Sequence, residues 1–257
     1  MDDRQSDERD YVRSLARGLE VIRAFNRFRA RMTLSEVARQ TGMTRAGARR
    51  ILRTLVRENY AETDGKHFSL RPRVLELGFS YLSSIPFWET AQPIIREVVS
   101  ETRESCSGAV LDDTEIVYVA RVPMQRVMTV GLSIGSRLPA YCTSMGRVLL
   151  AELPEDEREA ILARTTLEAL TPHTVRNMVD LRECIETARR QGWALVDQEL
   201  EIGLRSIAVP IRNRRGDCIA ALNIGTHAGR VSLDEMKDRL LPPLLGASQR
   251  ISASLPA

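Results

Sequence analysis

The segment TLSEVARQTGMTRAGARRILRTLVREN, residues 33–59, decides the fold of the first part of this 257-residue chain. Thr33 and Glu36 have the spacing of a capping box, in which the hydroxyl and the carboxylate each bond an orphan amide at a helix start. The helix that they open is predicted to bury its apolar side and to stop at Gly42. The segment therefore begins with a short amphipathic helix.

A second helix is predicted to follow, with Thr44 as its N-cap. Its apolar residues recur at i, i+3, i+4 and i+7, which is the spacing of one helix face: Ala48, Ile51, Leu52 and Leu55. The opposite side carries the arginines 45, 49, 50 and 53. Two short helices joined by a glycine-containing turn, the second lined with arginine, are typical of a helix-turn-helix.

Flanking patterns extend this unit. From Val12 onward, apolar residues recur every three or four positions, which predicts a preceding helix. Downstream, Tyr60–Thr63 and His67–Leu70 read as two strands joined by an Asp64-Gly65 turn, which predicts a hairpin wing. The sequence therefore predicts a winged helix-turn-helix.

The DNA contacts follow from this assignment, because the second helix of such a unit enters the major groove with its first turns on the base edges. The predicted base-reading residues are Thr44, Arg45, Ala46 and Arg49. Arg50 and Arg53 are predicted to hold phosphates, where a guanidinium can bind two oxygens at once. Lys66 at the wing tip and Thr33 complete the predicted DNA-contacting set.

Charge is distributed unevenly along the chain. Residues 11–75 carry 15 Lys and Arg against 5 Asp and Glu, whereas residues 76–257 have a net charge of −4. This asymmetry indicates a polyanion-binding region joined to a region that does not share that task. A solvated basic face without a partner is the alternative.

Several protein classes are excluded by composition. No apolar run is long enough for a membrane span, and the acidic start MDDRQSDERD is unlike a secretory signal. The four cysteines and three histidines are scattered, which argues against a zinc site or a disulfide framework. We expect a cytoplasmic protein without cofactors.

Beyond the basic region, we predict a linker helix over 74–88 and a second domain over 89–257, after the DNA-binding domain of 11–73. An internal helix of a single domain is the alternative for the linker. The predicted helices of the second domain are Glu89–Arg103, Ser144–Glu152, Glu155–Ala163, Val179–Gln191 and Leu233–Ser252, the last kinked or split by Pro242 and Pro243. The predicted strands are Ser107–Leu111, Ile116–Arg121, Val127–Leu132, Trp193–Val196, Ser206–Ile211 and Cys218–Ile224. The expected class is α+β, with an antiparallel sheet.

The stretch SRLPAYCTSMGR, residues 136–147, precedes the predicted helix Ser144–Glu152. Thr143 or Ser144 can cap that helix, so that the amides of Met145, Gly146 and Arg147 can bind an anion such as a carboxylate. A helix cap packed in a core is the alternative. A hydrolase-like enzyme using the loop from Cys142 to Ser144 is a third interpretation, but Arg147 stays protonated and cannot serve as a base.

Further polar residues indicate a pocket. Ser206 and Asn223 interrupt apolar strands, and an inward-facing polar group needs a hydrogen-bond partner that a ligand can supply. Asp197 and Glu199 either accept bonds from ligand hydroxyls or belong to a solvated loop. Arg205 either meets a ligand anion or pairs with one of these acids.

The winged segment, the linker, CTSMGR and DQELEIGLRSIAVPI together resemble the isocitrate-lyase-regulator (IclR) family of bacterial transcription factors over nearly the whole chain. The resemblance implies a dimer or tetramer that binds a palindromic operator, with a GAF-like effector-binding domain. It also implies an effector site, carried over position by position, at Cys142, Ser144, Met145, Gly146, Asp197, Glu199, Ser206 and Asn223.

The sequence GSRLPAYCTSMGRVLLA resembles the corresponding segment of the subgroup that controls protocatechuate and β-ketoadipate breakdown. This similarity implies an aromatic acid or a β-ketoadipate-pathway intermediate as the effector. Three positions depart from common family patterns. Ser206 occupies a position where several relatives have cysteine, Arg147 one where many have lysine, and Met145 one where sensors of small acids have a smaller residue. The larger Met145 argues against glyoxylate-like or pyruvate-like effectors.

Overall fold

The computed structural model of the chain describes residues 11–26, 28–84, 87–124 and 131–255. The chain divides into two compact units, which we call the head, ending at Tyr81, and the body, beginning at Leu82. This division falls inside the segment 74–88 that we interpret as a linker. The three-part domain boundaries given above stay a prediction.

The head combines helices with a small antiparallel sheet of order β1-β3-β2. Its elements are α1 (Arg13–Ala24), β1 (Met32–Thr33), α2 (Leu34–Gln40), α3 (Arg45–Arg57), β2 (Ala61–Thr63) and β3 (His67–Leu70). After a short 3-10 turn, α4 (Leu75–Ser84) carries the chain into the body. The predicted winged helix-turn-helix is confirmed. Strand β1 was not predicted, because two residues are too few to show an alternating pattern.

The two predicted N-caps of the helix-turn-helix are present. Thr33 accepts a bond from the Glu36 amide at 3.4 Å, and the Glu36 carboxylate accepts one from the Thr33 amide at 2.7 Å. The Thr44 hydroxyl accepts a bond from the Gly47 amide at 3.1 Å. Both helix starts are therefore fixed by a hydrogen bond between residues three positions apart in the chain.

One face of α3 provides the centre of the head. Ala48 and Leu52 are fully buried against Val21 of α1 and Val37 of α2. The opposite face is solvent-exposed and carries the arginines 45, 49, 50 and 53. The amphipathic pattern of the sequence thus separates the core of the head from a cationic surface.

The body contains a six-stranded sheet of order β6-β5-β4-β9-β8-β7, in which every neighbouring pair is antiparallel. Its strands are β4 (Ser105–Asp112), β5 (Glu115–Val122), β6 (Arg137–Pro139), β7 (Ala194–Asp197), β8 (Leu204–Arg212) and β9 (Cys218–His227). Its helices are α5 (Phe87–Thr102), α6 (Ser144–Glu152), α7 (Glu155–Leu162), α8 (Met178–Gln191), α9 (Leu233–Glu235) and α10 (Leu241–Ser254). The predicted α+β class is confirmed.

Helices cover both faces of this sheet. On one face, α5 and α10 pack through side chains such as Ile95 and Leu244 against Ile207 and Leu222. On the other face, α6 and α8 pack against the sheet, with Met145 and Leu181 among the buried residues. We call this second side the α6 face, and it is the side on which the polar breaks in the strands occur.

Two predicted elements differ from the structure. Residues 127–130 of the predicted strand Val127–Leu132 lie outside the described residues, residues 131–132 are not in a strand, and β6 forms the sheet edge. The predicted helix Leu233–Ser252 is divided, because a π-helical turn over Met236–Leu240 separates α9 from α10. Pro242 and Pro243 then stand in the first turn of α10, where a missing amide costs little.

Replacing Thr44 by alanine removes the hydroxyl that bonds the Gly47 amide. We expect the opening free energy of α3 to fall by about 1 kcal/mol, the usual value of an N-cap. The measurement is amide hydrogen exchange of α3 in the full-length protein. Thr44→Ser keeps the acceptor and should exchange like the wild type; equal protection in Thr44→Ala would contradict the capping role.

Candidate functional sites

The head carries a concave surface between α3 and the wing, which we call the basic groove. Its polar lining includes most of the residues predicted to contact DNA: Thr33, Arg45, Arg49, Arg53 and Lys66. The groove is floored by Leu34, Val56 and Phe68. The fold thus brings side chains from β1, α3 and the wing turn to one surface.

The wing tip is held by Asp64. Its carboxylate accepts bonds from the amides of Lys66 at 2.9 Å and His67 at 2.7 Å, and it pairs with the Arg31 guanidinium at 2.6 Å. These backbone bonds hold the pKa of Asp64 well below its usual range. Gly65 adopts a left-handed conformation with φ of 94°. The turn therefore presents Lys66 on a defined loop.

Three predicted DNA contacts lie outside the lining of the groove. Thr44 is exposed and caps α3, while Ala46 and Arg50 are exposed on the same helix. Their contacts with DNA stay predictions.

In the body, a cavity lies between the α6 face of the sheet and the start of α6. It is lined by Ser105, Ser107, Tyr118, Arg121, Leu132, Leu138, Cys142, Thr143, Met145, Val196, Leu200, Leu204, Ser206, Asn223 and Gly225. Four of the eight predicted effector-binding residues are in this set: Cys142, Met145, Ser206 and Asn223. The other four, Ser144, Gly146, Asp197 and Glu199, are not.

The sheet supplies the floor of the cavity in two neighbouring rows. Strand pairing aligns Val196, Ser206, Gly225 and Ser105 in one row across four strands. In the next row, pairing aligns Asn223, Ser107 and Arg121. The two polar breaks noted in the sequence thus belong to a larger polar floor. The walls, by contrast, are mainly apolar.

The start of α6 is organised differently from the anion site predicted from the sequence. Thr143 is the N-cap, and its hydroxyl accepts a bond from the Gly146 amide at 3.2 Å. The Arg147 amide bonds the Thr143 carbonyl at 3.0 Å. Two of the three amides proposed to hold an anion are therefore already bonded within the protein.

Gly146 is needed for packing of the chain on itself. A Cβ added there would lie 2.1 Å from the Ala140 carbonyl oxygen, which no relaxation of a side chain can relieve. The close approach at Gly146 is thus made by the backbone of Ala140. The Ser144 hydroxyl likewise bonds the Ser206 hydroxyl at 2.8 Å instead of lining the cavity.

The acids that follow β7 are neutralised by arginines. Glu199 is 7% exposed and pairs with the buried Arg147 at 2.7 Å, so the solvated-loop alternative is wrong for this residue. The Glu199 carboxylate also accepts a bond from the Val175 amide at 3.2 Å. Asp197 pairs with Arg205 at 2.7 Å, which lowers the Asp197 pKa through that hydrogen bond. Ligand contact by Asp197 and Glu199 stays a prediction that this pairing does not favour.

The loop lacks the chemistry of an activated nucleophile. Burial, reinforced by the negative charge of Glu199, raises the pKa of the Cys142 thiol to about 12. The thiol therefore stays protonated at neutral pH, whereas the thiolate is the reactive form. Ser144 bonds another hydroxyl, and none of the described cavity-lining residues is a histidine.

Sequence reasoning missed several lining residues, above all Ser105, Ser107, Tyr118 and Arg121. Ser105 and Ser107 carry a period-two signal in SCSGAVL that could have been read as one polar face. For Tyr118 and Arg121, three residues apart in one strand, regular alternation predicts opposite faces.

Two family models match the chain: the IclR helix-turn-helix domain over residues 14–65 and the bacterial transcriptional regulator IclR C-terminal domain over residues 79–253. The chain belongs to the IclR family of bacterial transcriptional regulators. A curated relative, the Pca regulon regulatory protein of Pseudomonas putida, is 45% identical over 247 residues, which cover 96% of this chain and 85% of the relative.

Solved structures agree with this assignment. A transcriptional regulator from Rhodococcus sp. RHA1 superimposes with a TM-score of 0.85 at 51% identity, covering 95% of this chain and 98% of that one. An IclR homologue from Microbacterium hydrocarbonoxydans, solved with 4-hydroxybenzoate, gives a TM-score of 0.81 at 27% identity, covering 94% of this chain and all of that one (100%). The IclR relatives are regulators, and this chain is likewise a regulator and not an enzyme. No helix within the described ranges is long and apolar enough to cross a membrane.

The Arg147–Glu199 pair generates a stability prediction. Glu199→Gln keeps an acceptor for the Val175 amide but leaves the Arg147 charge buried without a partner, which costs about 3–5 kcal/mol. We expect a lower melting temperature of the body in scanning calorimetry. The double variant Arg147→Met with Glu199→Gln removes both charges and should recover most of the loss; no recovery would contradict the pairing argument.

Proposed function

We propose that this IclR-family regulator binds a palindromic operator as a homodimer or tetramer and responds to a small carboxylic acid held in the body cavity. The proposed effector is an aromatic acid or a β-ketoadipate-pathway intermediate. The cavity carries this proposal, because its polar floor and apolar walls suit a ligand with a polar end and a flat apolar body. We place the protein in the cytoplasm.

The names of relatives support this class of effector. The Pseudomonas relative is named for the pca regulon, and a 37% identical relative from Acinetobacter baylyi is named as the p-hydroxybenzoate hydroxylase transcriptional activator. The Microbacterium homologue was solved in complex with 4-hydroxybenzoate. We extend these properties to the present chain as part of the proposal.

The size of the cavity bears on how an effector would act. The cavity has a volume of about 40 Å³, which is room for about three water molecules. An aromatic acid is larger, so its binding needs side chains of the wall to move. Met145, unbranched and fully buried, is the adaptable residue of that wall. A ligand that binds the widened cavity more tightly then shifts the equilibrium of the regulator toward that conformation.

Exposed apolar residues support self-association of the chain. Leu75, Leu77 and Phe79 are exposed along α4, and Leu15 and Leu19 are exposed along α1. A monomer gains nothing from such rows of apolar side chains in water. We therefore propose that these helices contribute to the interface between two copies.

The DNA-binding proposal is tested by Arg45→Ala combined with Arg49→Ala. Both side chains are exposed in the basic groove, and each base-reading contact contributes about 1–3 kcal/mol. We expect strongly weakened binding to an operator that the wild type selects from random duplexes, measured by gel shift.

The matched control removes two exposed arginines from the body, Arg189→Ala with Arg190→Ala. It should bind the operator like the wild type. Unchanged binding by the α3 double variant would reject α3 as the recognition helix.

The cavity proposal is tested at Gly225, which lines the cavity and where an added Cβ meets no atom within 4 Å. We expect Gly225→Ala to fold normally and to bind 4-hydroxybenzoate, protocatechuate or β-ketoadipate at least about tenfold more weakly, because an extra methyl in a packed site costs about 1–3 kcal/mol. The measurement is calorimetric titration of the full chain with each acid.

Gly246→Ala is the matched control, because its added Cβ also meets no atom within 4 Å but lies on α10, outside the cavity lining. It should bind like the wild type. If the wild type binds none of these acids, the effector class is wrong, and a DNA binder without an effector becomes the better description. Equal binding by Gly225→Ala would place the acid elsewhere.

A further inference from the structure

Among the described residues, one cationic side chain, Arg121, lines the cavity without an acidic partner. Of the buried arginines in the described residues, Arg147 pairs with Glu199, Arg205 pairs with Asp197, and Arg158 lies on α7 outside the cavity lining. Arg121 lines the cavity and has no carboxylate within ion-pair distance among the described residues. A partly desolvated cation without a counter-ion is costly, and an anionic ligand removes that cost.

A β-bulge in β5 turns Arg121 toward the cavity. Ala109 pairs with Tyr118 and Gly108 pairs with Ala120, so the residue between them on β5 has no opposite neighbour. The alternation of faces is thereby delayed by one position. Tyr118 and Arg121 both line the cavity although they are three residues apart. Bulges re-aim side chains in this way beside functional sites.

The surroundings orient Arg121 without neutralising it. Its Nη1 donates to the Ser107 hydroxyl at 3.1 Å, which leaves further donors of the planar guanidinium for a ligand. Asn223, paired with Ser107 on the neighbouring strand, adds a neutral polar group to the same floor. Burial raises the pKa of Tyr118 to about 12, so its hydroxyl also stays neutral. Arg121 therefore attracts a carboxylate, and none of these neutral neighbours repels one.

The start of α6 is less suited to this role. Its Gly146 and Arg147 amides are bonded to Thr143, and the Arg147 side chain is neutralised by Glu199. A single anionic group entering the cavity therefore gains most by meeting Arg121, where two guanidinium donors can bind two oxygens.

We propose that Arg121 binds the carboxylate of the effector and sets the requirement of this regulator for an acid. This inference rests on the proposed function, because it concerns the same cavity. The apolar side chains opposite the sheet floor, Leu138, Met145 and Leu200, then surround the uncharged body of the ligand.

The test compares acids with a neutral analogue on the full-length protein. 4-Hydroxybenzoate, protocatechuate, β-ketoadipate and the uncharged 4-hydroxybenzamide are titrated by calorimetry into the wild type, Arg121→Gln and Arg121→Lys. We expect the wild type to bind at least one acid about 30-fold or more tightly than the amide, and Arg121→Gln to lose that preference, as removal of one partner of a buried charge pair predicts. Arg121→Lys should bind the acid with intermediate affinity.

Arg137→Gln is the matched control, because this exposed arginine of β6 pairs with Asp112 and Glu115 and does not line the cavity. It should bind like the wild type. If the wild type binds an acid and Arg121→Gln binds it equally well, the role of Arg121 is refuted while the proposed function stands. Equal affinity of the wild type for 4-hydroxybenzoate and 4-hydroxybenzamide refutes it without any variant. Binding of no acid by the wild type refutes both.

Discussion

The buried ion pair between Arg147 and Glu199 fixes the wall of the body cavity. It joins the first turn of α6 to the segment after β7, while Arg147 also bonds the Tyr141 carbonyl and Glu199 the Val175 amide. Such a pair costs less in a dry interior when its charged groups make further hydrogen bonds, as Arg147 Nε and Glu199 Oε2 do here. Because each charge is compensated within the protein, this pair offers a ligand little, and the proposed recognition of an acid relies on the sheet floor.

Charge is used in opposite ways in the two units. In the head, α3 contains no acidic residue beside its exposed arginines. Its surface therefore keeps a positive potential that attracts a polyanion. In the body, eight arginines of the described residues are paired with acids, including Arg205 with Asp197 and Arg230 with Glu104. The difference in net charge between the two segments thus has a structural counterpart: α3 presents arginines without an ion pair in the described part of the chain, whereas the buried arginines Arg147 and Arg205 of the body are compensated by acids.

Much of the fold could be predicted because its signals are local. The caps at Thr33 and Thr44, the amphipathic α3 and the helix beginning at Ser144 depend on residues within one or two turns. The cavity depends on long-range partners: the arginines that take up Asp197 and Glu199 are 8 and 52 residues away from them. Strand register and the bulge before Arg121 are set by neighbouring strands, so period-two alternation places that arginine on the wrong face. The carboxylates looked like ligands, and the arginine that faces the cavity went unnoticed.

Two glycines near the cavity differ in what replacement would do to them. At Gly146 the protein backbone already occupies the space of a side chain, whereas at Gly225 that space is open. The fold therefore rejects a side chain at Gly146 and accepts a small one at Gly225. If the cavity holds the effector as proposed, a duplicated copy of the gene could change the acids that it responds to by a single codon change at 225, with the core and the basic groove left unchanged.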